Sequence, residues 1–199
     1  SYLSGGWYWV DGKSYYFNEQ GYCLVSTTTP DGYTVDENGA WTVDGTVQSR
    51  ETEVSVSGTK VIIPNGYDWE RQEDGNSIAL NEKNGSEQAV LVTAIEEESI
   101  SEVRSWLGEE ALKMVSDEVI RELAQELDGN MWEVSSSTKS FATGAWYHYS
   151  YKATNEEGRE IPVEFYTNFT GAQIRVVVML EGAGREFANS DEFVQNCIR

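Results

Sequence analysis

Short strands joined by glycine-containing turns are predicted for the first 50 residues. Pairs of a polar residue and glycine recur at short intervals, and such pairs are typical of tight hairpin turns because glycine adopts positive φ without a Cβ clash. The pairs are Asp11-Gly12, Gln20-Gly21, Asp31-Gly32, Asn38-Gly39 and Asp44-Gly45. We therefore expect a β-hairpin module over residues 1–48. The polar stretch from Val43 to Glu53 has no sustained apolar period and is predicted to contain a linker.

Beyond the linker the pattern changes to alternating apolar positions, which predict strands that face a core on one side. Turn signals at Pro64-Asn65-Gly66 and Asn84-Gly85 separate these strands. Their order along the chain predicts an antiparallel meander. The predicted strands cover residues 54–56, 60–63, 77–80 and 89–95.

Two helices are predicted after this meander. Ser99 and Glu102 fit a capping box, in which the serine hydroxyl and the glutamate side chain satisfy backbone N–H groups of the first turn. Gly108 is predicted to end the first helix, Ser116 to begin the second, and Asp128-Gly129 to stop it.

Three further strands and a closing helix are predicted in the last third of the chain. The helix is expected at Ser190–Val194, in a segment that begins with a capping serine. Residues 53–199 are therefore expected to form an α+β domain with an antiparallel sheet. The residues that share one face of each strand are Tyr147, Tyr149 and Tyr151; Ile161, Val163, Phe165, Thr167 and Phe169; and Ile174, Val176, Val178 and Leu180.

The charge of the chain narrows the classes of partner. Its 14 basic and 34 acidic residues give a formal net charge of −20 at pH 7. A field of this sign repels phosphate backbones, so nucleic-acid binding is not expected. The longest apolar run, Val176–Leu180, is far shorter than the roughly 20 residues of a membrane helix, so membrane insertion is not expected either.

The aromatic residues of the first segment carry a family resemblance. The chain reads Gly6-Trp7, then Gly12, then Tyr15-Tyr16-Phe17, then Asn18-Glu19-Gln20-Gly21. This order resembles the choline-binding, or cell-wall-binding, repeat of Gram-positive surface proteins, and residues 29–41 look like a degenerate second repeat. The resemblance implies hairpins stacked in a β-solenoid. It also implies a secreted, cell-wall-associated protein whose aromatic side chains cage the trimethylammonium group of choline on teichoic acid.

By position within the repeat, Trp7 matches the Gly-Trp tryptophan, and Tyr15 and Tyr16 match the tyrosine pair. Tyr33 and Trp41 of the second repeat are further ligand-binding candidates. Ser14 stands where the family usually has a tryptophan that forms one cage wall. Three interpretations remain open at this point: a cage for a quaternary ammonium cation, a surface that stacks on the sugars of a glycan, and a structural cluster that binds no small ligand and packs on the larger domain.

The second domain carries no motif that points to catalysis, a cofactor or a metal. His148 is the only histidine, and the sequence places no nucleophile or orienting carboxylate beside it. Ser135–Ser137 is expected in a loop. The segment around Val61–Trp69, with Pro64 and Gly66 in a turn, resembles the opening of the Mog1/PsbP-like α/β/α sandwich, whose members are mostly binding or assembly factors. The resemblance implies a noncatalytic domain with a protein partner that the sequence does not identify.

Overall fold

The protein is described by a computed structural model covering residues 2–64, 66–83, 88–127, 130–154, 157–181 and 189–199. Two units form the chain, Ser1–Thr52 and Glu53–Arg199. The predicted turn Asn84-Gly85 and the predicted helix stop Asp128-Gly129 lie outside the described residues.

The first unit begins with a hairpin of strands β1 (Gly6–Val10) and β2 (Lys13–Phe17). Asp11 and Gly12 join them with φ values of 48° and 75°, the conformation of the hairpin turn predicted for this pair. Trp7 lies opposite Tyr16, and Tyr8 lies opposite Tyr15. Because successive side chains of a strand point to opposite faces, Tyr15 and Tyr16 lie on different faces of the hairpin.

A second set of strands follows in the same unit, and β2 is joined to it by the bridge between Tyr15 and Ala40. The predicted linker at Val43–Glu53 is wrong in its first half. Asp44 and Gly45 form a hairpin turn there, and the chain continues as a strand. The strands are β3 (Thr27–Thr28), β4 (Thr34–Val35), β5 (Trp41–Val43) and β6 (Thr46–Val47), hydrogen-bonded in that order.

Gly39 is required by its surroundings in this unit. Its φ is +84°, and a Cβ added there would lie 2.7 Å from the sulfur of Cys23 and 2.9 Å from the carbonyl oxygen of Leu24. We expect Gly39→Ala to lower the free energy of unfolding of the first unit by about 2 kcal/mol or more, because backbone strain and overlap add. Urea unfolding followed by tryptophan fluorescence measures this.

Gly45→Ala is the matched control. Gly45 has a similar φ of +77° but nothing within 4 Å of the added Cβ, so only the strain of about 1 kcal/mol is expected. Equal losses in the two variants would contradict the account of Gly39.

The second unit is built on one large sheet. The strands of this unit are β7 (Thr52–Val56), β8 (Thr59–Ile63), β9 (Tyr67–Arg71), β10 (Ser77–Glu82), β11 (Gln88–Glu96), β12 (Trp132–Phe141), β13 (Gly144–Thr154), β14 (Glu160–Thr170) and β15 (Gln173–Glu181). Within the described residues the sheet has seven antiparallel strands in the order β12-β13-β14-β15-β11-β10-β9, and a separate hairpin pairs β7 with β8. The helices are α1 (Ser99–Leu107), α2 (Glu109–Leu127) and α3 (Ser190–Cys197).

Both faces of the sheet are covered, so the unit has two cores. On one face α1 and α2 pack over the predicted tyrosine stripe, which is 2–7% exposed at Tyr147, Tyr149 and Tyr151. On the other face the β7–β8 hairpin and α3 pack over Trp146 and Tyr166, both 0% exposed. The expectation of an α+β fold with an antiparallel sheet is confirmed. No helix among the described residues is both long and apolar enough to cross a membrane.

Two details of the predicted helices are wrong. The second helix begins at Glu109, and Ser116 lies inside it, where the Tyr149 hydroxyl donates to the Ser116 hydroxyl over 2.7 Å. Serine is a frequent N-cap residue, but the Ser116 hydroxyl is hydrogen-bonded in the core and does not cap a helix. The first helix does begin at Ser99. The capping box is absent, because the Ser99 hydroxyl donates to the Glu97 carboxylate over 2.8 Å.

Two strands were not predicted, β9 and β12, and they form the two edges of the sheet. Ser135–Ser137, expected in a loop, lies in β12. Along β12 the residues from Trp132 to Thr138 are all exposed. A strand without a buried face has no apolar alternation, so the pattern that predicts strands is missing there.

Candidate functional site

A tight turn at Thr29–Tyr33 presents two side chains beside the first hairpin. The Thr29 N–H donates to the Tyr33 carbonyl over 2.7 Å, and the Gly32 N–H donates to the Thr29 carbonyl over 2.9 Å. The Tyr33 N–H donates to the Thr29 hydroxyl over 3.1 Å. Thr29 is 3% exposed, so these bonds are shielded from water. The turn is therefore well fixed, and so are the backbone positions of Asp31 and Tyr33 within it.

Four aromatic side chains meet at this turn, and we call them the aromatic cluster: Trp7, Tyr16, Tyr33 and Trp41. The ring centroids of Trp7, Tyr33 and Trp41 form a triangle with sides of 6.0, 6.1 and 5.7 Å. Tyr16 contacts Trp7 at 5.4 Å, with the ring planes at 83°. Edge-to-face contacts of this kind stabilise an aromatic cluster beyond the area that it buries.

The aromatic cluster remains accessible to solvent. Tyr33 is 49% exposed, and Trp7, Tyr16 and Trp41 are half-buried. A cation above the centre of the triangle would lie within about 6 Å of three ring centroids, which is the range of cation–π attraction. The cluster is thus chemically suited to a compact cation with an apolar surface.

A carboxylate lies against the aromatic cluster. The Trp7 indole Nε1–H donates to Asp31 Oδ2 over 2.8 Å, and the Thr29 hydroxyl donates to Asp31 Oδ1 over 2.6 Å. These hydrogen bonds lower the pKa of Asp31 below its ordinary value, and the bond from Thr29 has the larger effect. Asp31 is therefore ionised at neutral pH and places a negative charge beside the Trp7 ring.

Four of the five residues predicted for the site are brought together in this cluster, and the fifth is not. Tyr15 lies opposite Tyr8 on the other face of the β1–β2 hairpin. Ser14, at the family's tryptophan position, is 3% exposed and pairs with Trp9 across the hairpin. The cage wall that this tryptophan normally supplies is therefore absent at position 14. The three rings of the triangle come from Trp7, Tyr33 and Trp41 instead.

Asp31 was not predicted as a site residue, because the pair Asp31-Gly32 by itself predicts only a turn. A signal was present in the order Thr29-Pro30-Asp31-Gly32-Tyr33. Proline and glycine fix the turn, so the acidic residue next to a candidate aromatic has a restricted position. What the sequence could not supply is the contact with Trp7, which lies 24 residues away.

In the second unit the structure surrounds His148 with polar groups. Its Nε2 lies 2.5 Å from Glu164 Oε2, and its Nδ1 lies 3.5 Å from the Ser137 hydroxyl oxygen. The ring stacks on Tyr166 at 4.4 Å, and Glu164 also accepts from Ser150 over 2.7 Å. The sequence does not place a serine or a carboxylate beside His148, and the pairing of β12, β13 and β14 brings Ser137 and Glu164 there from distant positions.

The second unit also contains a cavity of about 870 Å³ between the two helices and the ends of β13 and β14. Leu112, Tyr147 and Phe169 supply apolar walls, and Arg104 and Lys113 are its basic lining residues. This volume lies in the range of small-molecule sites. In the part of the chain that the structure describes, no three His, Cys, Asp or Glu side chains converge as metal ligands.

Comparisons with solved structures give resemblances in outline only. The chain is similar to cyanobacterial PsbP from Synechocystis, with 10% identity over 70% of this chain and 84% of that chain and a TM-score of 0.47. A protein from Bacteroides thetaiotaomicron matches with 14% identity over 73% of this chain and 46% of that chain, with a TM-score of 0.43. The protein PA94 from Pseudomonas aeruginosa matches with 12% identity over 67% of this chain and 83% of that chain, with a TM-score of 0.35.

The comparison with protein families gives a match within the first unit. No curated protein matches the chain. The model of the choline-binding repeat family matches residues 6–41, the segment that contains all four residues of the aromatic cluster and Asp31. The family resemblance seen in the sequence is thereby confirmed for residues 6–41, which are similar to the choline-binding repeat.

Proposed function

We propose that the first unit attaches the protein noncovalently to choline-bearing teichoic acid of a cell wall, with the aromatic cluster as the contact surface. The observation that carries this proposal is the triangle of Trp7, Tyr33 and Trp41, with sides of 5.7–6.1 Å inside a choline-binding repeat. Each ring attracts a quaternary cation by roughly 0.5–2 kcal/mol. Three such contacts total about 1.5–6 kcal/mol, and the middle of this range, about 2.7–4.1 kcal/mol, corresponds to a dissociation constant of about 1–10 mM.

The orientation of the rings supports a rounded ligand over a flat one. The planes of Trp7 and Tyr33 meet at 81°, and those of Tyr33 and Trp41 meet at 83°. Nearly perpendicular rings offer no single flat surface to a ligand that lies above the cluster, and such a surface suits a compact group such as trimethylammonium. A sugar ring stacks best on a single flat face, so the glycan alternative receives less support from this geometry.

The cellular setting and the absence of catalysis belong to the same proposal. We propose a secreted, cell-surface protein of a Gram-positive bacterium in which neither unit is an enzyme. His148 acts as a packed polar residue in this account, because its ring is stacked on Tyr166 and its side chain is 15% exposed. The second unit is proposed to bind a protein partner.

The alternative function is a structural or protein-interaction module that binds no small ligand. Edge-to-face contacts, such as the 5.4 Å pair of Trp7 and Tyr16, stabilise the hairpins whether or not a ligand binds. The half-exposed state of Tyr33 favours ligand binding over this alternative, because a purely structural cluster gains most when its rings are fully covered.

A titration of tryptophan fluorescence tests the proposal. Choline and tetramethylammonium are expected to give saturable changes with dissociation constants of about 1–10 mM, and glucose none. Saturation by glucose but not by choline would favour the glycan alternative. No response to either ligand up to about 100 mM would favour the structural module.

A further inference from the structure

The Asp31 carboxylate is fixed at the edge of the aromatic cluster by bonds to both of its oxygens. One oxygen accepts from Trp7 over 2.8 Å, and the other accepts from Thr29 over 2.6 Å. Thr29 is itself buried and bonded within its turn, so the carboxylate has little freedom to rotate away from the indole. Its charge therefore has a defined place relative to the rings.

This charge is not compensated by a basic side chain. Among the described residues, Asp31 forms no ion pair with a lysine, arginine or histidine. The hydrogen bonds that hold the carboxylate come from neutral donors, an indole and a hydroxyl. A ligand at the aromatic cluster thus meets a full negative charge.

Three physical effects follow for a ligand that contacts Trp7. The carboxylate attracts a cation, since any group in contact with the ring lies within about one Debye length of 8–10 Å. The bond from the indole N–H to a carboxylate polarises the ring and makes its face more negative. The same bond holds the ring in one orientation before the ligand arrives, which lowers the entropy cost of binding. Only the third effect helps a neutral ligand.

We propose that Asp31 is a specificity-determining residue that makes the aromatic cluster select a quaternary ammonium over a neutral group of the same shape. This inference rests on the proposed function, because it assigns the ligand preference of the same site. The inference adds one element to the proposed function: the rings attract the cation, and the carboxylate increases the preference for a charged ligand over a neutral one.

The test compares choline with 3,3-dimethylbutan-1-ol, in which carbon replaces the charged nitrogen and the shape is unchanged. Calorimetric titrations of the wild-type protein are expected to show at least about a tenfold preference for choline. Asp31→Asn keeps an oxygen that accepts from Trp7 but removes the charge. In this variant the affinity for choline is expected to fall about threefold to tenfold, while the affinity for the neutral alcohol changes by less than about twofold.

Asp44→Asn is the matched control for net charge. Asp44 lies in the β5–β6 turn with a φ of 49°, a conformation that asparagine also tolerates. The control is expected to keep the wild-type preference. Salt dependence gives a second readout. Added NaCl should weaken choline binding more in the wild-type protein than in Asp31→Asn, because the other carboxylates of the chain act on both proteins, and it should leave binding of the alcohol unaffected.

The outcomes separate the two proposals. If choline binds but Asp31→Asn keeps the wild-type ratio of affinities, or salt has no effect on choline binding, the inference about Asp31 is wrong and the proposed function stands. If neither compound binds the wild-type protein, the proposed function fails, and the inference fails with it.

Discussion

Replacing Trp7 by alanine is expected to weaken choline binding by at least about tenfold, the largest effect of any single substitution in the first unit. Trp7 contacts Tyr16, Tyr33 and Trp41 at centroid distances of 5.4–6.1 Å, and its indole N–H bonds to Asp31. The variant loses one ring that attracts the cation and the bond that places the carboxylate. About 1.4 kcal/mol of lost binding energy corresponds to tenfold in affinity. Calorimetric titration with choline measures the change.

Trp106→Ala is the matched control, because it removes an exposed tryptophan from the second unit. Trp106 is 85% exposed in α1, so its loss should leave both choline affinity and stability unchanged. Trp7→Phe separates the two functions of Trp7, since it keeps an aromatic ring but has no N–H for Asp31. If Trp7→Ala bound choline as tightly as the wild-type protein, the aromatic cluster would not be the binding site.

Replacing Trp146 by alanine is expected to lower the free energy of unfolding of the second unit by about 3–5 kcal/mol, the range for a large buried aromatic side chain. Trp146 is 0% exposed and packs in the core beneath the β7–β8 hairpin and α3. The substitution removes a large apolar side chain and leaves a cavity in that layer. Urea unfolding followed by far-ultraviolet circular dichroism measures the loss.

Thr143→Val serves as its control, since the Trp146 indole donates to the Thr143 hydroxyl over 2.9 Å. Losing this acceptor is expected to cost about 1–3 kcal/mol, because the buried indole N–H is left without a partner. A loss below about 1.5 kcal/mol for Trp146→Ala would show that this residue is not the centre of the core that the structure describes.

The hairpin turns and the buried strands could be predicted from the sequence because their signals are local. The residue types of Asp11-Gly12 indicate a turn with positive φ, and the alternating tyrosines of β13 indicate which face of the strand is buried. The edge strands β9 and β12 could not be predicted in this way. Both faces of β12 are largely exposed, so its sequence Ser135–Thr138 resembles a loop.

Helix starts show a second limit, which concerns polar residues with two possible uses. Ser116 has the residue type of an N-cap, but tertiary packing places it within α2, where the Tyr149 hydroxyl donates to it. Ser99 does begin a helix, yet its hydroxyl bonds to Glu97 and not to the helix backbone. Sequence spacing indicates that a serine is available for hydrogen bonding, and the tertiary structure decides the partner.

In the candidate site too, some residues can be predicted from a local pattern and others only from the tertiary structure. The family pattern names all four residues of the aromatic cluster, Trp7, Tyr16, Tyr33 and Trp41. The register of β1 and β2 places Tyr15, which the same pattern names, on the other face of the hairpin. Asp31 requires a contact across 24 residues, which no local pattern contains. The chemistry of the site thus follows from the repeat, and its charge follows only from the fold.

The most direct test of the central claim is a titration of the ¹⁵N-labelled wild-type protein with choline, followed through the indole N–H signals of its seven tryptophans. Saturable shifts of the Trp7 and Trp41 signals are expected, with the signals of Trp69 and Trp106 in the second unit unchanged. Shifts confined to tryptophans of the second unit, or no shift up to about 100 mM choline, would contradict the assignment of the aromatic cluster as a choline site.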